Sequence, residues 1–532
     1  MKWFGSRVAD LEKQLANATS YEEWQQIAAA LDTETGLDLW KLESASPYYD
    51  HTLIAERLTT LRRYRLEKKD QPLMRSLREG LHHDLGNIGN PLLYAHTHMG
   101  TKKLIEDYID QVCKCLDYLC DNEFDFLPLD AKYRFFEDTY HSYGQPALMF
   151  SGGATLGLFH AGVCKALQEQ DLLPRVFSGS SAGALMAGML GTRTDEQLKE
   201  MYNGEGFYDQ AFHFRKLRDV LMGGGIADVQ VLKNFLRQNL GEYTFEEAFQ
   251  KTGRHINVVV APYDASQSAR IMNELTSPYL LVWSATLASC AVPVLFPPVR
   301  LTTKTISGDY KHYMPSQRWV DGSVRSDLPK DRLARLFNIN YTIACQVNPH
   351  IVPFMQEDNL RLGKRLRDWP RKILRNQLQN LAMGTMDITR EQMGKLAPVR
   401  RMLDHGYGVI GQRYYGDVNI VGDYSLRHYT YMLRNPTKEM FQLLQREGER
   451  ATWPKISAIR THAKIGKTLN HCLERLDAQR AKAMEDSTPW GLQGELPMPH
   501  GFRDDGILQI EARRRHRAQV SGHTEELHHP GL

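Results

Sequence analysis

The chain has 532 residues, 42% of them hydrophobic and 24% charged. That balance excludes a collagen-like, wholly disordered or disulfide-stapled chain and suits a folded protein of several units. Basic and acidic side chains nearly cancel, 66 against 63 for a net +3, so nucleic acid is not an expected partner. Seven cysteines, few and odd in number, read as reduced thiols in a reducing, cytoplasmic setting.

The first residues, Met1-Lys2-Trp3-Phe4-Gly5-Ser6-Arg7, turn polar at once, without the apolar core of a secretory signal. No run of about 18 apolar residues follows, so any action on lipid is expected at a surface the protein docks on. Residues 1 to 140 read as helical. Val8, Leu11 and Leu15, then Leu53, Leu58, Leu61 and Leu66, keep helical spacing, and Thr101 to Cys120 places Leu104, Ile105, Tyr108, Ile109, Val112 and Leu116 on one face. His82, His83, Asp84, His96 and His98 are ligand-type residues around a turn-rich stretch, read as solvated helix ends rather than a metal site. Cys113, Cys115 and Cys120 lack zinc spacing.

From about 146 the pattern becomes α/β. Ala147-Leu148-Met149-Phe150, Val176-Phe177, His255 to Ala261, Trp319-Val320 and Thr342 to Cys345 read as strands alternating with helices, which predicts a mostly parallel sheet covered on both faces. The catalytic unit is expected at 146–335, with a helical extension over 336–480 and a disordered tail over 481–532. Arg361, Lys364, Arg365, Arg367, Arg371, Lys372 and Arg375 form a basic segment broken by Pro370. It reads either as an interfacial element for anionic lipid or as core-packed helices with a solvated basic face.

Three motifs carry chemistry. Gly179-Ser180-Ser181-Ala182-Gly183 is G-x-S-x-G between a strand and a small-residue helix, a sharp turn that exposes a serine hydroxyl before free helix N–H groups. Ser151-Gly152-Gly153-Ala154-Thr155-Leu156-Gly157 also ends a strand. Without a following Lys-Ser/Thr it is no P-loop, and its unobstructed N–H groups suit an oxyanion. Trp319-Val320-Asp321-Gly322-Ser323 is a turn signal that places a carboxylate at the sheet's carboxyl edge.

Together these motifs resemble the patatin-like phospholipase and acylhydrolase family. The helix-to-proline segment Trp283 to Pro293, with Leu295-Phe296-Pro297-Pro298, resembles it too. Ser46-Pro47-Tyr48-Tyr49-Asp50-His51, Gly86-Asn87-Ile88-Gly89-Asn90-Pro91 and Gln346-Val347-Asn348-Pro349-His350 are similar to the branch of triacylglycerol lipases with an extra helical domain. That branch includes yeast lipid-droplet and plant oil-body lipases. The resemblance covers roughly residues 1 to 400 and implies a three-layer α/β/α sandwich, a lipid substrate, a membrane or lipid-droplet surface, and no cofactor or metal. It implies that Ser181 is the nucleophile, Asp321 its base, and Gly152, Gly153 and the Ala154 N–H the oxyanion hole. Gly157, Gly179, Gly183 and Gly322 complete the motifs. Ala154 stands where the family has a third glycine, and Leu156 where it has an arginine. An aspartate base at neutral pH needs a raised pKa, so Asp321 is expected to be desolvated. Two alternatives remain open: a Ser-His-Asp hydrolase using His350, His405 or His428, and a non-catalytic lipid-surface scaffold. The H-x-x-x-x-D spacing of some acyl-transferring members occurs at His500 to Asp505, in the tail, and carries little weight.

Overall fold

The computed structural model describes residues 2–82, 84–204, 227–264, 266–293, 295–324, 328–348, 415–424, 428, 430–432 and 434–487. The chain starts with helices, among them Tyr21–Glu34, His51–Leu66, Lys103–Asp121 and Leu129–Tyr143. Polar caps start several of them. Ser20 accepts from the N–H of Glu23 at 3.2 Å, and Asp50 from that of Leu53 at 3.0 Å, satisfying N–H groups that a helix start leaves without partners. Lys103–Asp121 buries Ile105, Tyr108, Ile109, Val112, Leu116 and Leu119, the face its spacing predicts.

Among the described residues seven strands build the main sheet: β1 (Gln145–Phe150), β2 (Val176–Gly179), β3 (His255–Pro262), β4 (Arg270–Met272), β7 (Trp319–Asp321), β8 (Ile339–Gln346) and β9 (Val418–Val421). Their order is β4-β3-β2-β1-β8-β9, with β7 also on β3. The five strands from β3 to β9 run parallel; β4 and β7 are antiparallel to β3. β5 (Leu301–Lys304) and β6 (Tyr310–Tyr313) form a separate hairpin. β1 to β3 grow the sheet in one direction, and β8 and β9 in the other. The crevice where the order reverses lies beyond the carboxyl ends of β1 and β8, where α/β sheets bind ligands. Residues 151–157 follow β1, Ser180 and Ser181 follow β2, and Val347 and Asn348 follow β8.

One expectation is corrected. The stretch 336–480 is not only a helical extension, because β8 and β9 belong to the sheet and β8 lies beside β1. A second finding concerns the cores. Ile465, Leu469, Cys472, Leu473 and Leu476 of the helix Ile456–Ser487 pack into the N-terminal helical core. Ala18, Tyr21, Trp24 and Ala28 join the core of the sandwich instead. Helices from the two sides of the catalytic unit thus share one apolar interior, which burial of their leucines favours. The basic segment 361–375 and the tail from 488 onward lie outside the described residues.

Candidate active site

The turn after β2 is built by the absence of side chains. A Cβ on Gly179 would lie 2.1 Å from the Gly183 carbonyl carbon, and one on Gly183 would lie 2.3 Å from the Phe150 carbonyl oxygen. Both glycines are therefore required for β2 and the helix Ala182–Thr192 to meet. Between them Ser181 adopts φ 53° and ψ −120°, a region costing a non-glycine residue about 1–3 kcal/mol. A tether holds it there. The Ser181 N–H donates to Ser289 Oγ at 2.9 Å, and the Ser289 hydroxyl donates to the Val259 carbonyl of β3 at 2.6 Å. Ser289 is fully buried.

Asp321 ends β7, opposite Val260 of β3. Its N–H donates to the Ala291 carbonyl at 3.1 Å. A Cβ on the following Gly322 would lie 2.3 Å from the Val259 oxygen, so only glycine lets the loop turn this close to β3. Ser289, Ala291 and Gly322 thus bring the 179–183 turn, β3 and the Asp321 loop together. Asp321 is fully buried. Desolvation pushes its carboxyl up to about 6, against the lowering pull of the Ser323 N–H and hydroxyl and, less, of the Ser181 hydroxyl. The Ser323 N–H reaches Oδ1 at 2.8 Å. Oδ2 completes no hydrogen bond among the described residues, while the Ser181 hydroxyl is near enough to lower the carboxyl's pKa. The Cys290 thiol touches Ser181 and is pushed well up, by burial and then by the charge of Asp321. It stays a thiol.

The loop 151–157 lies against this pair. A Cβ on Gly152 would sit 3.3 Å from the Ser181 Cβ, and one on Gly153 would sit 2.6 Å from Val347 Cγ2. Ala154 has φ +50°, where a glycine would be unstrained. A Cβ on Gly157 would lie 2.5 Å from the Ala182 Cβ, so glycine lets loop and helix close together. Beside Ser181 an apolar cavity of about 90 Å³ runs between Ala154, Met186, Met189, Phe235, Leu236 and Phe296.

Residues 148–333 match the family described as patatin-like phospholipase, and residues 1–141 match a domain of unknown function, DUF3336. Triacylglycerol lipase ptl3 of Schizosaccharomyces pombe is 32% identical over 491 residues, covering 90% of this chain and 99% of that protein. The chain belongs to the patatin-like phospholipase family. Triacylglycerol lipase 4 of Saccharomyces cerevisiae is 35% identical, covering 84% of this chain, and triacylglycerol lipase SDP1L of Arabidopsis thaliana is 33% identical, covering 87%. The chain spans about half the length of the budding-yeast relative, 51%, and 58% of the plant one.

Within this patatin-like site no described contact of Ser181 involves a histidine. His428 Nε2 pairs with Glu447 at 3.0 Å, so the structure gives no support to it as a triad member. His350 and His405 lie outside the described residues. In the N-terminal cluster, His98 Nδ1 lies 2.7 Å from Asp32 and His96 stacks on Trp40; His83 is outside the described residues. Leu156, at the family's arginine position, is buried and supplies no charge. Sequence reasoning missed Ser289, Cys290, Ser151 and His160. Ser289 and Cys290 lie in the helix-to-proline segment that carries part of the resemblance, the one signal that pointed near them.

Proposed function

We propose that the chain is a lipid acyl-ester hydrolase that works through a Ser181–Asp321 dyad. The observation that carries this is a buried carboxyl, raised to about 6, approaching a serine on a strained strand-to-helix turn beside an apolar cavity. Asp321 takes the Ser181 proton as Oγ bonds to the ester carbonyl carbon. N–H groups of Gly152, Gly153 and Ala154 hold the oxyanion. The C–O bond to the alcohol breaks, and the alcohol takes the proton from Asp321. Water then gives a proton to Asp321 and attacks the acyl-enzyme. Ser181 recovers that proton as the fatty acid leaves.

Burial suits this base. At pH 7 a carboxyl of pKa about 6 is ionised yet more basic than an ordinary aspartate. The cavity is lined almost wholly by apolar side chains, a surface that suits the apolar start of an acyl chain. The names of the relatives favour triacylglycerol as substrate. Among the described residues no helix is long and apolar enough to cross a membrane, and the substrate is insoluble. The protein is therefore taken to work docked on a lipid-droplet or membrane surface facing the cytoplasm. The division into an N-terminal helical unit over 1–140 and a catalytic unit is part of the same reading.

The test is release of fatty acid from emulsified trioleoylglycerol, compared with phosphatidylcholine vesicles. Triacylglycerol hydrolysis by wild type, abolished in Ser181→Ala and Asp321→Asn, is expected. Equal release by folded Ser181→Ala would refute the dyad, and a preference for phosphatidylcholine would reassign the substrate.

A further inference from the structure

We infer that His160, a buried imidazole outside the dyad, is a positioning residue that fixes the direction of the glycine-loop N–H groups beside Ser181. The inference rests on the reading of residues 152–154 as the oxyanion site.

The loop has a conflict built into it. A side chain at 153 would collide with Val347, and one at 152 would press on Ser181. Glycine also makes a flip of the intervening peptide cheap, and a flipped peptide would present a carbonyl oxygen where a donor is needed. Something outside the loop must choose the orientation.

His160 does so from the helix Phe159–Glu169. Its Nε2 lies 3.0 Å from the Ser151 carbonyl oxygen. A carbonyl only accepts, so Nε2 carries the proton. In a neutral imidazole Nδ1 is then the acceptor, and the Cys345 thiol lies 2.9 Å from it, as donor. Burial holds the ring neutral by pushing its pKa down to about 4, so the tautomer is set by these two partners. The peptide between Ser151 and Gly152 is planar and trans, so its C=O and N–H point in opposite directions. With the carbonyl fixed on His160, the Gly152 N–H faces away from it.

The next peptide is fixed in a related way. The Gly152 carbonyl accepts from Ser151 Oγ at 3.0 Å, and that hydroxyl accepts in turn from the Val347 N–H at 2.8 Å. The Ser151 N–H donates to the Cys345 carbonyl at 3.0 Å. His160 and Cys345 therefore tie the loop to β8 from behind. The Ser181 N–H, already given to Ser289, is not available to share the oxyanion's charge, which increases the demand on the loop.

The test uses the full chain and a soluble ester, p-nitrophenyl butyrate, with His160→Leu and His160→Gln. A glutamine amide reaches the place of Nε2 and restores a donor; leucine fills the space without one. In His160→Leu, kcat should fall about 10²-fold, the scale of a small misplacement of catalytic groups, with KM within about twofold. His160→Gln should recover most of that loss. Folded His160→Leu with wild-type kcat, or His160→Gln no faster than His160→Leu, would overturn the inference. Should the leucine variant fail to fold, His160→Asn replaces it: asparagine ends near the place of Nδ1, so it should be slow where glutamine is fast, and equal rates would count against positioning. Wild type that fails to turn over the ester would overturn the dyad itself, a separate result.

Discussion

The turn at 179–183 and the loop at 151–157 lie side by side at the sheet's carboxyl edge, and they are held in opposite ways. The turn is largely local: two glycines, one strained serine and the start of a helix, joined to its surroundings through the Ser181 N–H on the Ser289 hydroxyl and the Ser180 N–H on the Phe150 carbonyl. The loop has little to hold itself. Its shape depends on Ser151, His160, Cys345 and Val347, drawn from three parts of the chain. A sharp turn can be stiffened locally, whereas a row of backbone donors must be aimed from behind.

Both elements serve one pair, Ser181 and Asp321, and changes there should have the largest effect. Ser181→Ala and Asp321→Asn should each remove ester hydrolysis to background in a turnover assay. Asp321→Asn should also stabilise the fold. The folded pKa of Asp321, about 6, lies above the ordinary 3.8. Below 3.8 both folded and unfolded states hold the proton, and stability is complete. As pH rises to about 6 the unfolded state ionises first and stability falls. Above that the buried charge costs on the order of 2–3 kcal/mol. Thermal melts should show Asp321→Asn more stable than wild type at pH 7.5, with the gain shrinking toward pH 4. No gain at pH 7.5 would mean that the carboxyl is not desolvated.

Next comes the side chain that holds Ser181 in the turn. Ser289→Ala leaves the Ser181 N–H and the Val259 carbonyl without their partner, a stability loss of about 1–3 kcal/mol. It should lower kcat by about 10- to 100-fold through misplacement of Ser181. Unchanged kcat at reduced Tm would show that the turn holds Ser181 without it.

How much of this was legible follows the same division. Strands such as His255–Pro262 announce themselves by apolar runs, here Val258 to Ala261, because both faces of a parallel sheet are buried. The G-x-S-x-G turn shows for a similar reason: its demands fall on five consecutive residues. β9 has four residues and no distinctive run, and it joins β8 from more than seventy residues away in sequence. Cys472 enters the N-terminal core beside Cys120 from the far side of the catalytic unit. Such pairings leave no local pattern. His160 was invisible for this reason: a lone histidine on an apolar helix looks like any core histidine until the Ser151 carbonyl is seen against it.

Two smaller effects sharpen the picture. Hydrolysis of a soluble ester should rise with pH through about 6 as Asp321 ionises, and level off above it; a profile flat from pH 5 to 8 would exclude Asp321 as base. Ala154→Gly relieves the positive φ of Ala154 but adds freedom to the unfolded chain. The two terms oppose each other at about 1 kcal/mol each. Tm should shift by no more than a few degrees and kcat by less than about twofold. A large loss of activity would mean that the alanine methyl shapes the site.

The most direct measurement is the rate and position of covalent labelling by a fluorophosphonate, read by peptide mass. The expected result is one adduct, on Ser181, forming faster as pH rises through about 6 in wild type and lost in folded Asp321→Asn. An adduct on another residue, or wild-type labelling of Ser181 in Asp321→Asn, would contradict the dyad.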